Sequence, residues 1–325
     1  MEKILIVSRK SRLALIQVKE LMKNVNISYE IIEIDSYGDK NKDLSLIDNP
    51  IKDIFTKELD DALLNGIGDI AIHSAKDLPY PLHHDLEIIA LIPPFDQTDS
   101  FVSKNGLTLK EMPLGGKIGT SSVDRRDQIL NIRDDLEIFD IRGTIEERIQ
   151  QLDDGLVDGV IIATCALKRL GLEDRISEVL DFRTHALQGY LAVTTKRNNL
   201  LVRDTFKELD ILKNYGDVNL VGFGPGDPEL LTRKAHRILL ESDVIFYDAL
   251  ISKDFLDEYK AEKIYVGKRK NRHSYSQDQI CEKLYLAAKS GLTVSRLKGG
   301  DPFIFGRGGE ECDYLGSRLV NVVTV

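Results

Sequence analysis

In GDIAIHSAKDLP, residues 68–79, an apolar run gives way to a cluster of ionisable side chains: Ile70, Ala71 and Ile72 lead directly into His73, Ser74, Lys76 and Asp77. Such a run reads as a short, buried parallel strand. Ligands of open α/β sheets bind beyond the carboxyl ends of such strands, so the spacing puts an ammonium and a carboxylate where a ligand sits. Taken alone, Asp77 could equally close a turn before Pro79, with Lys76 as a solvated neighbour. The rest of the chain argues otherwise, because basic residues recur at strand ends and loop starts: Arg9, Arg12, Lys52, Arg125, Arg126, Arg142, Arg148, Lys168 and Arg169. A helix N-terminus already favours anions, and a guanidinium there adds paired hydrogen bonds to carboxylates. Several such junctions converging imply a cleft for a small, acid-rich ligand.

Two similar α/β units are needed to hold these groups. Residues 3–8 alternate as a strand, and Ser11 caps an apolar helical stripe through Leu15, Val18, Leu21, Met22 and Val25. A second strand at 31–34, a polar loop at 38–50 and a helix at 55–64 precede the strand at 70–72, giving a β-α-β-α-β unit on a parallel sheet. Pro93, Pro94 and the polar run 96–100 mark a crossing into a second unit of the same kind. It has strands at 117–121, 137–141 and 160–164 and helices at 125–132 and 144–152. A strand at 190–194 then crosses back to the first unit, followed by a helix over 200–212. The predicted boundaries are 1–91 plus 186–213 for one domain and 92–185 for the other.

A different pattern starts after residue 217. The strand 218–222 runs into GPGDP, a helix follows at 230–240, a strand at 244–247 ends at Asp248, and RLKGGDPFIFGRGGEE occupies 296–311. Glycines clustered around Asp301, Arg307 and Glu310 imply close backbone approach to a ligand, which a side chain would block. GPGDP alone is a weak signal; the two loops together are specific.

Whole-chain properties narrow the partners. The 325 residues suffice for two or three domains, and the net charge of −9 argues against general nucleic-acid or anionic-membrane binding. No charge-free apolar run reaches spanning length and the N-terminus reads as a strand, so a cytoplasmic location is the expectation. Cys165, Cys281 and Cys312 are scattered, in no metal-ligand spacing, and read as buried thiols without a metal site.

These stretches carry two resemblances. SRKSRLALIQ (8–17), FTKELDDALL (55–64), DIAIHSAKDLP (69–79), GTSSVDRR (119–126), IRGTIEERI (141–149) and ALKRLGLEDRI (166–176) resemble hydroxymethylbilane synthase, or porphobilinogen deaminase, over residues 1 to about 212. That family joins four porphobilinogen units with loss of ammonia, between two periplasmic-binding-protein-like domains. The resemblance implies Asp77 as the catalytic carboxylate with Lys76 beside it. It implies Arg9, Arg125, Arg142, Arg148 and Arg169 as ligands of the propionate and acetate groups, with Ser74 and Lys52 nearby. VNLVGFGPGDPELLT (218–232), VIFYDAL (244–250), IYVGKRKNRHSYSQDQI (264–280) and RLKGGDPFIFGRGGEE resemble uroporphyrinogen-III C-methyltransferase, which methylates the macrocycle from S-adenosylmethionine. Here the resemblance implies Pro225, Gly226, Asp227, Gly299, Gly300 and Asp301 as cofactor loops. It puts Asp248 at the macrocycle and Arg307 and Glu310 at the reacting carbon. The expected architecture is thus two periplasmic-binding-like α/β domains and a partial tetrapyrrole-methylase α/β domain over 217–325, a fusion of two steps of one pathway.

Four departures bear on activity. Asp124 stands in place of the first of that family's paired arginines, and the family's glycine-rich loop reads NPIKDIF. No cysteine between Arg197 and Asp217 matches the one that anchors the family's dipyrromethane cofactor, and the methylase resemblance runs to Val325, short of its second domain. The expectations are a partial S-adenosylmethionine site that a partner chain or homodimer completes, and no dipyrromethane anchor. A fragment of a longer bifunctional chain, or a degenerate module that binds an anionic pyrrole without chemistry, is the alternative.

Overall fold

The computed structural model describes residues 3–41, 53–267 and 275–325. The chain divides into two compact units, Met1–Asp210 and Ile211–Val325.

The first unit opens with β1 (Ile4–Arg9), α1 (Arg12–Met22), β2 (Tyr29–Ile34), the single turn α2 (Tyr37–Lys40), α3 (Lys57–Leu64), β3 (Ile70–Ser74) and β4 (Leu86–Ile92). It continues with β5 (Asp99–Ser103), β6 (Lys117–Gly119), α4 (Val123–Ile132), β7 (Glu137–Phe139), α5 (Ile145–Asp153), β8 (Gly159–Ala163), α6 (Thr164–Leu170) and β9 (Glu178–Leu180). β10 (Leu191–Lys196) and α7 (Leu200–Phe206) close it. Two five-stranded sheets result, ordered β2-β1-β3-β10-β4 and β7-β6-β8-β5-β9.

Side-chain caps fix where the helices begin. Ser11 accepts the amide of Ala14, Ser122 that of Arg125, and Thr144 forms a capping box with Glu147. Each start directly follows a strand, so the loop between them is short and its arginine cannot stray from the sheet edge. α1 turns Val18, Leu21 and Met22 into a core with Ile6, Ile70 and Val193. Each such side chain stabilises the fold by about 1.5–3 kcal/mol.

β1, β2 and β3 pair in parallel, as expected for the first β-α-β-α-β unit, but neither five-stranded sheet is parallel throughout. β10 does return to the first sheet, but antiparallel, between β3 and β4; β5 is likewise antiparallel to β8 and β9. A return from the opposite end of the sheet fits in no other direction. The predicted loop at 38–50 begins as α2 instead, because Ser36 and Asp39 form a capping box; residues 42–50 of it lie outside the described residues. The helix predicted over 200–212 stops at Phe206, after Val202 and Phe206 have been buried.

The second unit contains β11 (Val218–Gly222), α8 (Arg233–Glu241), β12 (Val244–Tyr247), α9 (Lys253–Leu256), β13 (Glu262–Tyr265), α10 (Gln277–Lys289), β14 (Val294–Lys298), α11 (Gly308–Gly316) and β15 (Val322–Thr324). Its sheet, ordered β13-β12-β14-β11-β15, is parallel throughout. α8 starts three residues later than predicted, since Asp227 and Pro228 make a separate turn and Thr232 is the cap. From β11 the chain crosses β14 to reach β12, and from β14 it crosses β11 to reach β15. The carboxyl ends of β11 and β14 therefore flank a topological switch point, where such sheets bind ligands.

Candidate active sites

In the first unit β3 ends at Ser74 and a one-turn 3-10 helix carries Lys76 and Asp77, held by the amide of Ala75 donating to the Tyr190 carbonyl at 3.0 Å. Both side chains line a cavity of about 230 Å³, and so do Arg9 and Ser74. Arg125, Arg142, Arg148 and Arg169 reach it from the other sheet, so the structure brings together every described deaminase residue expected from the sequence. Lys52 lies outside the described residues. Ser74 accepts a hydrogen bond from Gln17 at 2.9 Å. His73, at the same strand end in sequence, is buried within the sheet; its Nε2 meets Thr194 Oγ1 at 2.9 Å, and burial, then Arg9, push the imidazole down to about 4.

Three of the arginines face acids that sequence reasoning missed. Arg9 forms a two-pronged pair with Asp39 at 3.0 and 2.5 Å and stacks on Phe55. Burial works against the Asp39 carboxylate, but Arg9 and Ser36 outweigh it and hold the carboxyl below its usual range. Arg125 grips Asp99 at 2.9 and 2.6 Å, and Arg169 grips Glu20 at 2.7 and 3.1 Å while lying over Phe95. Arg148 donates its Nε to the Gly143 carbonyl at 3.1 Å instead. Burial, then Arg125 and Arg142, push its guanidinium down to about 10, so this wall holds more positive charge than it neutralises. Burial also lowers the Lys76 ammonium, with Arg125 adding to the effect and Asp77 and Asp99 opposing it. Such a cleft can bind a ligand with several carboxylates and offer one carboxylate, Asp77, to an N–H or a developing cation. Asp124, at the start of α4, is exposed, while Arg125 points to Asp99.

In the second unit the two glycine loops touch: the amide of Gly300 donates to the Gly224 carbonyl at 3.0 Å. Both glycines have positive φ, 66° and 80°, and a Cβ on either would project into open space, so the loops form a cradle of bare backbone. Asp248 joins the next loop to it, accepting from Leu250 at 3.1 Å and from Gly299 at 3.2 Å. Asp227 caps the turn at Pro228, following Pro225 and Gly226. Asp301 accepts the amides of Phe303 and Ile304, and Arg307 pairs with Glu310 at 2.6 and 2.5 Å on the exposed start of α11. Behind the cradle, and not anticipated from sequence, Glu311 is fully buried between Lys298 at 2.7 Å and Arg296 at 3.3 Å.

Residues 4–204 match the family model "Porphobilinogen deaminase, dipyromethane cofactor binding domain", and residues 217–325 match "Tetrapyrrole (Corrin/Porphyrin) Methylases". The porphobilinogen deaminase of Clostridium perfringens (strain SM101 / Type A) is 39% identical over 214 residues, covering 64% of this chain and 73% of that protein. Among solved structures, the native uroporphyrin III C-methyltransferase of Thermus thermophilus is 48% identical, covering 34% of this chain and 48% of that one, with a TM-score of 0.31. The same enzyme complexed with S-adenyl homocysteine is 46% identical over 34% of this chain and 44% of that one, with a TM-score of 0.30. The chain thus spans about half the length of these transferases.

The residues present fit one half of a dipyrromethane group and not the other. The arginine-lined cleft suits its carboxylates. Its thioether needs an accessible thiolate, and the cleft's thiol, Cys165, is 4% exposed with burial pushing it up against the pull of Arg169 and Lys76. For S-adenosylmethionine the glycine cradle fits, since a side chain at Gly224 or Gly300 would occupy the space the backbone leaves open.

Proposed function

The chain belongs to the porphobilinogen deaminase family and carries a tetrapyrrole methylase segment behind it, and from that premise we propose that its first unit condenses porphobilinogen through Asp77. Porphobilinogen offers two carboxylates, a pyrrole N–H and an aminomethyl leaving group. Arg125, Arg142 and Arg148 bind the acids. Asp77 receives the pyrrole N–H, and in its protonated form it supplies a proton as the C–N bond breaks and ammonia leaves. The azafulvene cation so formed is stabilised by the ionised carboxylate. The free α-carbon of a second pyrrole then attacks, a C–C bond forms and the ring proton is lost. The single observation that supports this reading is the strand-end pair Lys76–Asp77 in a cleft lined by five arginines.

Asp77→Asn keeps the shape of the side chain and removes the charge. We expect it to slow porphobilinogen consumption, followed with Ehrlich's reagent with and without an added soluble dipyrrole acceptor, by roughly 10²–10⁴-fold with unchanged circular dichroism. Consumption at the parental rate overturns the assignment. Porphobilinogen binding by a parent chain that consumes none would favour the binding-module reading.

For the second unit the reading is methyl transfer from S-adenosylmethionine to uroporphyrinogen III. The cradle at Gly224–Asp227 and Gly299–Asp301 forms one wall for the cofactor, and Asp248, Arg307 and Glu310 stand toward the macrocycle. The sulfonium is already a good leaving group, so positioning is most of the task. One wall leaves the adenine incompletely desolvated, so binding by this chain alone is weak. Tight, stoichiometric binding in calorimetry would refute that and point to a second copy completing the site.

A further inference from the structure

The polar group that connects the two sides of the deaminase cleft is an amide. Gln188 lies on the segment that crosses back from β9 to β10 and is 3% exposed. Its Nε2 donates to the carbonyls of Gln97 and Thr98, at 2.9 and 3.1 Å, and to Asp99 Oδ1 at 2.8 Å. Gln97 answers by donating to the Ala186 carbonyl at 3.0 Å, so side-chain amides lace the two crossing segments together. Next to it Gly189, at φ 83°, lets the segments approach so closely that a Cβ would lie 2.4 Å from the Asp96 carbonyl. The orientation of the Gln188 amide is therefore determined: its NH₂ meets three acceptors, and its carbonyl oxygen is left facing two cations. Those are Lys76 Nζ and Arg125 Nη2, each at 3.4 Å.

We propose that Gln188 is a positioning residue whose carbonyl holds the Lys76 ammonium against the Asp99–Arg125 pair and so fixes where Lys76 stands beside Asp77. The inference rests on the reading of Lys76 and Asp77 as the reacting pair. The charged and titratable groups facing Lys76 are Asp77 on its own turn, Asp99 of β5, Arg125 of α4 and Cys165 of α6. Gln188 is the neutral member of this shell, and its dipole favours the charged lysine. A carbonyl that is removed should make Lys76 a weaker base, and a carboxylate put there should make it a stronger one.

Competitive acetylation of Lys76 in the full chain, read by peptide mass spectrometry between pH 7 and 11, measures this directly. Gln188→Leu is expected to lower the Lys76 midpoint, so that at a fixed pH below it the lysine reacts up to ~10-fold faster, the equivalent of one unit in pKa. Gln188→Glu is expected to shift it the other way and slow the reaction. A general loosening of the cleft would speed both variants. Parental rates in both, or acceleration in both, overturn the proposal. If Gln188→Leu fails to fold, Gln188→Glu decides alone, because only slower labelling supports the inference. Porphobilinogen titrated calorimetrically into the same proteins separates the two claims. A parent that binds none removes the functional reading while the Lys76 shift stands, and intact binding with unshifted Lys76 removes only the role of Gln188.

Discussion

The first unit lines its cavity with arginines, whereas the second leaves bare backbone at Gly224 and Gly300 and buries an ionic cluster. In the deaminase cleft Arg125 and Arg148 keep some exposure and border the cavity, where the proposed reading brings a carboxylate to them. In the methylase unit the loops that would meet the cofactor present backbone at Gly224 and Gly300, and an ionic cluster, Glu311 with Lys298 and Arg296, is buried in the interior. On the proposed reading the difference follows from the ligands. Pyrrole acids carry net negative charge and need counter-charges, whereas S-adenosylmethionine needs close approach and shape. Deleting a charge should therefore cost stability in the second unit and affinity in the first.

The largest effect is expected at Glu311. Lys298 and Arg296 are 3% and 7% exposed at their side chains, and burial already lowers the Lys298 ammonium against the support of Glu311. Glu311→Ala leaves both cations buried with their common partner gone, which costs about 3–5 kcal/mol. The urea midpoint of the second unit, followed by limited proteolysis, should fall accordingly. Porphobilinogen binding by the first unit should not change. A midpoint equal to the parent's would mean that the cluster is solvated and the contrast fails.

Arg148 tests the other side. Its neighbours Arg125 and Arg142 repel it, so Arg148→Met relieves like-charge repulsion while keeping the aliphatic bulk. The melting temperature should stay level or rise. Affinity for porphobilinogen should fall by the worth of a charged hydrogen bond, about 1.5–3 kcal/mol, or roughly 10–100-fold. A destabilised variant with parental affinity would show that Arg148 belongs to the architecture rather than to recognition.

What was legible in the sequence was local. Lys76 and Asp77 follow an apolar run, Arg125 and Arg148 sit in first turns of capped helices, and the glycine loops are contiguous strings, so each could be read from neighbours a few residues away. The acids that hold the arginines were not legible, because Asp39, Asp99 and Glu20 lie 30, 26 and 149 residues from their partners and meet them only through the fold. Gln188 escaped for the same reason: a glutamine between Leu187 and Gly189 has no pattern until two crossing segments surround it. The antiparallel place of β10 also depends on tertiary closure, since an apolar strand does not encode its own direction.

The smallest expected effect is none at all, and it concerns Cys165. A primer that must stay attached while a chain grows needs a thioether, and a thioether needs a thiolate that can reach the reacting carbon. Cys165 borders the cleft, yet it packs with Val160, Ile162, Ala166 and Leu167, and burial keeps its thiol protonated more strongly than Lys76 and Arg169 favour the thiolate. Cys281 is 2% exposed and pushed up to about 11 by burial, then by Glu311; Cys312 is raised as well. Both belong to the methylase unit. The purified chain should therefore show the mass of its sequence alone, give no colour with Ehrlich's reagent, and alkylate slowly at Cys165 at neutral pH. It should also make no hydroxymethylbilane from porphobilinogen unaided. An added mass of two pyrrole units mapped to Cys165 would reverse this and make that residue the anchor. It would also weaken the contrast drawn above, because the first unit would then hold its ligand by a covalent bond as well as by charge.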